Sequence, residues 1–536
     1  MTIRSLTPDF AVSPQIRPGE IATLAGEGFR AIICNRPDGE EAGQPSAEEI
    51  HAAAGQAGLG FAYIPVISKD IGPVEAEKMA AALAALPKPI LAYCRSGARS
   101  EALFRAAGAK AQGVSSAART YDILIAGGGS AGIATAASLL KRRPGLKIAI
   151  IEPADMHDYQ PGWTLVGAGV FLPEVTRRPM AEVIPPNVDW IKQAASGFLP
   201  DENRVVLADG GTLSYRVLVV AIGIRLAWEA IPGLAETLGR NGVTSNYRYD
   251  LAPYTHRLAT ELTSGRAIFT QPPMPIKCAG GPQKAMYLSC DRWRRAGALK
   301  NIAVEFDTAT PALFGVAAYI PALMAYIERY GIELNVETAL VKVDGPARRA
   351  VFERKAAGGR TETVEREFTM LHAVPPQMAP DCVRSSKLAT PGGFAAVDEA
   401  TLQNPDYSNV FALGDVCAAS NAKTAAAARQ QAPVVAVNAL AALDGKPMQA
   451  AYSGYGSCPL TVERGKIVLA EFGYGGKLMP TFPSWLLDGT RPTRAAWFLK
   501  DRLLPFIYWH GMLKGREWLA GPRPLTPKPP LTPAQG

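Results

Sequence analysis

The sequence predicts an α/β protein: a small α/β domain, two Rossmann-type dinucleotide-binding domains, and a helical, amphipathic C-terminus. Three observations carry this expectation. A glycine loop, Gly127-Gly128-Gly129-Ser130-Ala131-Gly132, lies between an apolar strand and a helix. Strand-like and helix-like segments then alternate as far as about residue 451. Ahead of both, Cys94-Arg95-Ser96-Gly97-Ala98-Arg99 follows a buried strand and opens another helix.

A chain of 536 residues is too long for one hydrophobic core. Residues 1–112 read as the first domain, with strands at 30–34, 61–67 and 89–93 and helices at 76–86 and from about 100. Residues 113–119 are small and polar and read as a linker. The dinucleotide-binding part is expected at 120–265, returning at 396–460, with a second Rossmann-like domain at 266–395 and an aromatic, basic region at 461–536. Composition is ordinary for a globular protein, 48% hydrophobic and 19% charged. The seven cysteines are odd in number and form no CxxC pair, which excludes a disulfide scaffold and a zinc site; no metal is expected.

The glycine loop is the strongest local signal. Gly127 permits the tight turn, Gly129 lets the backbone approach a pyrophosphate, and Gly132 lets helix pack on strand. The N–H groups of Ser130 and Ala131 start a helix facing the phosphates, and Glu152, 20 residues past Gly132, can accept from the ribose hydroxyls. These features alone leave FAD and NAD open. Residues 217–223 (VLVVAIG, ending at Gly223) and 411–415 (FALGD, with Gly414 and Asp415) resemble paired elements of two-dinucleotide-domain flavoproteins, in which the late Asp holds the ribityl chain. They favour FAD. No second GxGxxG occurs between residues 265 and 330, so NAD(P)H is not the expected electron donor. A type II NADH dehydrogenase stays as the alternative.

From residue 121 to about 518 the chain resembles the sulfide:quinone oxidoreductases, in particular their mitochondrial-type branch. The matching stretches are IIEPADMHDYQPGWTLVGAG (150–169), PPMPIKCAGGPQKAMYL (272–288), MLHAVPP (370–376), FALGDVCAASNAKTAAA (411–427) and YGSCPL (455–460). The resemblance implies FAD, sulfide and a quinone as reaction partners, and glutathione or sulfite as sulfane sulfur acceptor. It makes Cys278 and Cys417 the redox pair, with Cys417 carrying the sulfane sulfur and Cys278 facing the flavin. A helix expected at 423–431, together with Lys423, is suited to lower the Cys417 thiol pKa, and Lys423 is a further candidate flavin contact. Val416 intervenes where some relatives have Cys directly after Gly-Asp. Cys290 and Cys382 read as structural, as does Cys458, for which a place in the site wall also stays open. His157 and His372 receive no acid–base role.

The first domain resembles the beta-lactamase-hydrolase-like, phosphatase-like family, including residues 29–41 (FRAIICNRPDGEE). Its loop is one residue shorter than a Cys-phosphatase's, with Arg99 five residues after Cys94, and this resembles rhodanese sulfurtransferases. Backbone N–H groups of such a loop stabilise a thiolate or bind an anion. Transfer of sulfane sulfur at Cys94, assisted by Arg99, is the expected chemistry, with phosphatase and docking module as alternatives. Asp70 is a candidate acid.

From residue 491 onward, 8 Lys/Arg stand against 2 Asp/Glu, and four of the eight Trp lie after residue 480. Basic charge interleaved with aromatics suits an anionic membrane surface; no nucleic-acid motif accompanies it. Trp485, Trp497, Phe498, Phe506, Trp509 and Trp518, with Arg491, Arg494, Lys500, Arg502 and Lys514, carry the pattern. No signal peptide and no run of 18 apolar residues is visible. A peripheral, monotopic position on the cytoplasmic side of the inner membrane is therefore expected, with Pro505 breaking or kinking the region into two helical pieces.

Overall fold

Apolar β-branched runs become parallel strands here, and the elements that carry chemistry sit at the strands' carboxyl ends. The computed structural model describes residues 3–67, 72–111, 120–355 and 359–525. The expected linker at 113–119 and Asp70 lie outside them.

In the N-terminal unit the strands Phe10–Ser13, Ile90–Tyr93, Ala31–Cys34 and Gly60–Tyr63 pair in that order, all parallel. Arg4–Thr7 closes one edge antiparallel. Alternate residues of the central strands point to two separate apolar clusters. One packs under the helix Ala47–Gln56, and the other under Pro73–Ala85 and Ala98–Ala111. The helix Ala47–Gln56, which the sequence analysis leaves unassigned, begins with a capping box between Ser46 and Glu49.

In the second unit, Val188–Ile191, Ile148–Ile151, Thr120–Ala126 and Thr212–Val220 are parallel neighbours, and Val410–Ala412 adds beside the last. The chain thus returns to its first sheet after a long excursion. That excursion is a second parallel sheet, Val243–Thr244, Met370–His372, Gly265–Gln271, Ile302–Thr308 and Glu333–Asn335. Its main helix, Gly281–Arg295, is buried along most of its length. The antiparallel pair Gly456–Glu463 and Lys466–Phe472 packs against that helix through Cys458, Leu460 and Val462.

The C-terminal region corrects one expectation. Pro505 does not break it. The backbone stays helical from 494 to 511, and π-helical stretches Leu499–Leu503 and Ile507–Gly511 flank the turn that holds Pro505. Widening the turn accommodates a residue that has no N–H to give. The region is docked rather than loose. Tyr508 Oη lies 2.6 Å from both Ser130 Oγ and His157 Nε2, and Glu517 Oε2 accepts from Arg142 Nη2 at 2.8 Å.

Trp293 tests the packing of the second sheet. It is 1% exposed and donates Nε1–H to the Ala259 carbonyl at 2.9 Å. Trp293→Ala removes both contact area and bond, at an expected cost of about 3–5 kcal/mol. A thermal melt of the FAD-loaded protein should show a clearly lowered midpoint; an unchanged midpoint contradicts this account of the core.

Candidate active site

The strand Thr120–Ala126 ends in Gly127, whose φ is +109°. A Cβ there would strike the Ala221 carbonyl, and one on Gly132 would strike the Gly127 carbonyl. Gly129 faces open space. The backbone therefore forms a close turn with a free outer face, the cradle that a pyrophosphate fits. Glu152 closes its far side: one carboxylate oxygen accepts from Gly128 N–H at 2.8 Å and the other from Ala154 N–H at 2.9 Å. Gly223, Gly414 and Asp415 line the same elongated cavity, as do Ser130, Ala131 and Lys423. The Ser130 hydroxyl is engaged by Tyr508, so its backbone N–H is what it can offer a phosphate. Gly414 has φ +74°, and its N–H is held by Gln431 Oε1 at 2.8 Å. The late helix begins at Ala425, two residues beyond the expected start, capped by Thr424 Oγ1. The donors, the turn and the cavity fit FAD.

The cysteines fall differently from the expected pairing. Cys278 follows the strand Gly265–Gln271 and adopts φ +51°. Its N–H donates to the Lys423 carbonyl at 2.8 Å, and its own carbonyl accepts from Tyr247 Oη at 3.0 Å. Cys278 lines the cavity. The sulfur beside it is that of Cys458, at 3.9 Å, and Lys284 Nζ lies 3.1 Å away. Cys417 makes no such contact with Cys278 among the described residues; its sulfur lies 3.9 Å from Gln431 Nε2. Lys423 does not turn to the Cys417 sulfur either, but donates to the Cys417 carbonyl at 2.7 Å. Burial consequently outweighs that charge and raises the Cys417 thiol pKa, the reverse of the lowering expected.

The charges around Cys278 act the other way. The Cys458 thiol donates to it, and with the Lys284 ammonium this overcomes burial and holds Cys278 well below the usual thiol range. Facing that thiolate, and buried, Cys458 keeps its proton well above the usual range. Burial disfavours the Lys284 charge, yet the two sulfurs more than offset this and raise its pKa. A second lysine, Lys500, reaches in from the C-terminal helix and donates to the Pro161 carbonyl at 2.8 Å. Burial, then repulsion by Lys284, bring its pKa down to about 7. The sequence places Lys500 among membrane-facing cations; in the structure it is buried. Lys284 is not picked out by the sequence as a site residue, and Cys458 only as a possible wall, though both lie in motifs that carry the resemblance.

In the N-terminal unit the Cys94 loop lies at the carboxyl end of the central strand. Burial opposes ionisation of Cys94, but N–H groups of Ser100, Ser96 and Arg99 donate to its sulfur and lower its pKa below the usual thiol value. Arg99 Nη1 donates to the Val66 carbonyl at 2.6 Å, and its fork closes on Glu40, Nη1–Oε1 at 2.7 Å and Nη2–Oε2 at 2.8 Å.

Fold and cavity together define a flavin-dependent oxidoreductase with two dinucleotide-type domains, preceded by a second α/β unit. Residues 121–264 match the pyridine nucleotide-disulphide oxidoreductase family, and residues 2–111 match the phosphatase-like domain of beta-lactamase hydrolase-like protein. The mitochondrial sulfide:quinone oxidoreductase of Dictyostelium discoideum is 39% identical over 397 residues, 74% of this chain and 86% of that one. That of Mus musculus is 37% identical, over 74% and 87%. The crystal structure of the Aquifex aeolicus sulfide:quinone oxidoreductase superposes with a TM-score of 0.59 at 22% identity, covering 74% of this chain and 92% of that one. The chain belongs to the mitochondrial-type sulfide:quinone oxidoreductase family. It is an FAD enzyme whose substrates are sulfide and a quinone.

Lys284 supplies the next test. In Lys284→Met the Cys278 thiol loses its ammonium partner, so its pKa rises and less thiolate is present at neutral pH. Alkylation of Cys278 by iodoacetamide at pH 7 should slow by about tenfold or more. A rate profile superimposable on the wild type removes Lys284 from the account.

Proposed function

We propose that Cys278 and Cys458 are the redox-active pair, that the C-terminal helix rests on a membrane surface, and that Cys94 accepts sulfane sulfur. The observation that carries the first part is the 3.9 Å approach of the two sulfurs beside Lys284 at the cavity wall.

In the oxidised pair a hydrosulfide ion attacks one sulfur of the Cys278–Cys458 bond and expels the other as thiolate. The better leaving group is the thiol of lower pKa. That is Cys278, so sulfur adds to Cys458 as a persulfide and Cys278 departs as a thiolate facing the cavity. Lys284 holds that negative charge as it forms. A thiolate or sulfite acceptor then attacks the outer sulfur of the Cys458 persulfide and leaves Cys458 as a thiolate. FAD, when bound, supplies the chemistry that takes two electrons from the thiol pair, restoring its disulfide, and delivers them to quinone. Quinone reduction also consumes two protons. Lys500, with a pKa of about 7, can hold one at the cavity wall and give it up at neutral pH.

The membrane reading rests on exposed apolar side chains clustered after residue 480. Trp485 is 83% exposed, Leu519 77%, Phe498 57% and Phe506 53%. Exposed Arg491 and Arg502 accompany them. Trp509 belongs to another set: it is buried, with the Arg178 guanidinium 4.2 Å above its ring. Among the described residues no helix is long and apolar enough to cross a membrane.

Cys278→Ser and Cys458→Ser should each retain FAD and lose sulfide-dependent quinone reduction by orders of magnitude, with the double variant scarcely worse, because the pair acts as a unit. Cys417→Ser should stay active. The reverse pattern, with Cys458→Ser active and Cys417→Ser dead, restores the pairing expected from sequence.

The pH profile offers a separate check. Lys500 binds fewer protons than a free lysine between about pH 7 and 10.5, its charge being lost as pH rises through about 7. Quinone reduction should decline above about pH 7, and in Lys500→Met this inflection should vanish from a uniformly lower profile. An inflection that survives the substitution belongs to another group.

Replacing Trp485, Phe498 and Phe506 by Ser should weaken co-sedimentation with anionic vesicles, since each such side chain is worth roughly 1.5–3 kcal/mol when buried in lipid. Undiminished pelleting argues that these side chains do not touch the bilayer.

A further inference from the structure

The C-terminal helix reaches into the dinucleotide loop itself. Tyr508 is buried and lies in the π-helical stretch Ile507–Gly511, a widened turn of a kind that recurs at functional sites. Its ring packs on Tyr159, centroids 4.6 Å apart, and edge-on against Trp509 at 5.0 Å. Its hydroxyl stands 2.6 Å from Ser130 Oγ and 2.6 Å from His157 Nε2. His157 Nδ1 in turn lies 3.2 Å from the Gly128 carbonyl. A carbonyl only accepts, so Nδ1 carries the imidazole proton. Burial brings the His157 pKa down to about 4, so at neutral pH the ring is uncharged and Nε2 is bare. Tyr508 therefore donates to Nε2, and its oxygen accepts from the Ser130 hydroxyl. The chain of bonds starts and ends in the glycine loop, on the two residues that flank Gly129. The carbonyl and N–H of one peptide point in opposite directions, so holding the Gly128 carbonyl fixes where Gly129 N–H points. Gly129 and Ser130 head the helix Ser130–Arg142, and their N–H groups have no partner within it. The far end of that helix is held by the same C-terminal segment: Glu517 Oε1 accepts from Ser138 Oγ at 2.7 Å, and Oε2 from Arg142 Nη2 at 2.8 Å.

We infer that Tyr508 and His157 are positioning residues for FAD: by bonding Ser130 Oγ and the Gly128 carbonyl they set the peptide planes whose N–H groups receive the pyrophosphate, and they make the C-terminal helix a working part of the cofactor site. A phosphate oxygen is held best by donors already aimed at it. Without the Tyr508 hydroxyl, His157 Nε2 becomes a buried acceptor with no donor, and the Ser130 hydroxyl loses its acceptor. The imidazole is then free to turn, and the Gly128 carbonyl loses the contact that orients its peptide. Among the described residues the chain makes no hydrogen bond to Gly414 or Asp415, so its loss is felt at the phosphates before the flavin ring.

The experiment uses the FAD-loaded full chain with Tyr508→Phe, which keeps the ring and removes one oxygen. FAD release, followed by the flavin fluorescence regained on dilution, should be about tenfold faster than in wild type. The phosphorus NMR resonances of the bound pyrophosphate should shift, while the visible flavin spectrum stays that of wild type. His157→Leu should reproduce both changes. The double variant should release FAD scarcely faster than either single variant, because the two side chains act as one chain. Trp293→Ala, which loosens the second sheet, should leave the phosphorus resonances in place. Release from Tyr508→Phe within about twofold of wild type overturns the inference. So does faster release with unmoved phosphorus resonances, which marks a general loosening of the fold. Effects that multiply in the double variant overturn it as well, since they mark two independent contacts.

Discussion

The placement of Cys278 is the constraint on which the catalytic unit depends. A residue other than glycine at φ +51° costs on the order of 1–3 kcal/mol and persists only where the surroundings over-determine it. Here they do. The N–H is fixed to Lys423, the residue just ahead of the cap of the late helix; the carbonyl is fixed by Tyr247; and Gly281 N–H returns to that carbonyl at 2.6 Å. Gly280 admits no side chain, because a Cβ there would meet Leu460 and the Cys458 sulfur. The same close approach that forbids a larger residue brings the second sulfur to the first. Helix Gly281–Arg295, the hairpin from Gly456, and the return segment through Lys423 thus meet at one backbone position.

This arrangement also explains what became of the second dinucleotide-type domain. In a nucleotide-binding Rossmann unit the first strand runs into a glycine loop, and the following helix directs its N-terminus at a pyrophosphate. Here the strand Gly265–Gln271 runs into the Pro-rich turn of Cys278, and Lys284, in the first turns of the helix, points its ammonium at a sulfur. A site that elsewhere recognises a soluble dinucleotide has its positive end turned on the protein's own thiolate. On the proposed reading, electrons come from sulfur held at the cavity wall, beside which Lys500 also reaches in from the C-terminal helix.

Features local in sequence were legible; those made by tertiary contact were not. The glycine turn, Glu152 and the Gly-Asp element each sit on a strand end, where spacing along the chain translates directly into position, and all three came to one cavity. The cysteine pair did not follow that logic. Cys417 is two residues past Asp415, but the backbone buries its sulfur beside Gln431 Nε2, away from Cys278. Cys458 lies 180 residues from Cys278 on an antiparallel hairpin, and only packing joins them. Lys500 and Trp509 looked like part of a basic, aromatic membrane stripe because helical periodicity cannot tell an outward face from one docked on Tyr159 and Arg178. Glu40 lies in the 29–41 stretch that carries the resemblance, but its contact with Arg99 appears only once two parallel strands set their following loops side by side.

The two cysteine sites solve one electrostatic problem in opposite ways. Each must keep a buried sulfur anionic against desolvation. At Cys278 a lysine provides the charge directly, 3.1 Å from the sulfur. That suits a thiolate which must be expelled from a disulfide and then lie at an electron-accepting wall, since lowering its pKa makes it the better leaving group. At Cys94 the support comes first from the backbone N–H groups of Ser100, Ser96 and Arg99, with the Arg99 guanidinium, itself paired with Glu40, also facing the sulfur. A thiolate held this way is also less deeply stabilised than one facing an ammonium, and nucleophilicity falls as pKa falls. On the proposed reading, the first site releases a sulfur anion and the second attacks with one.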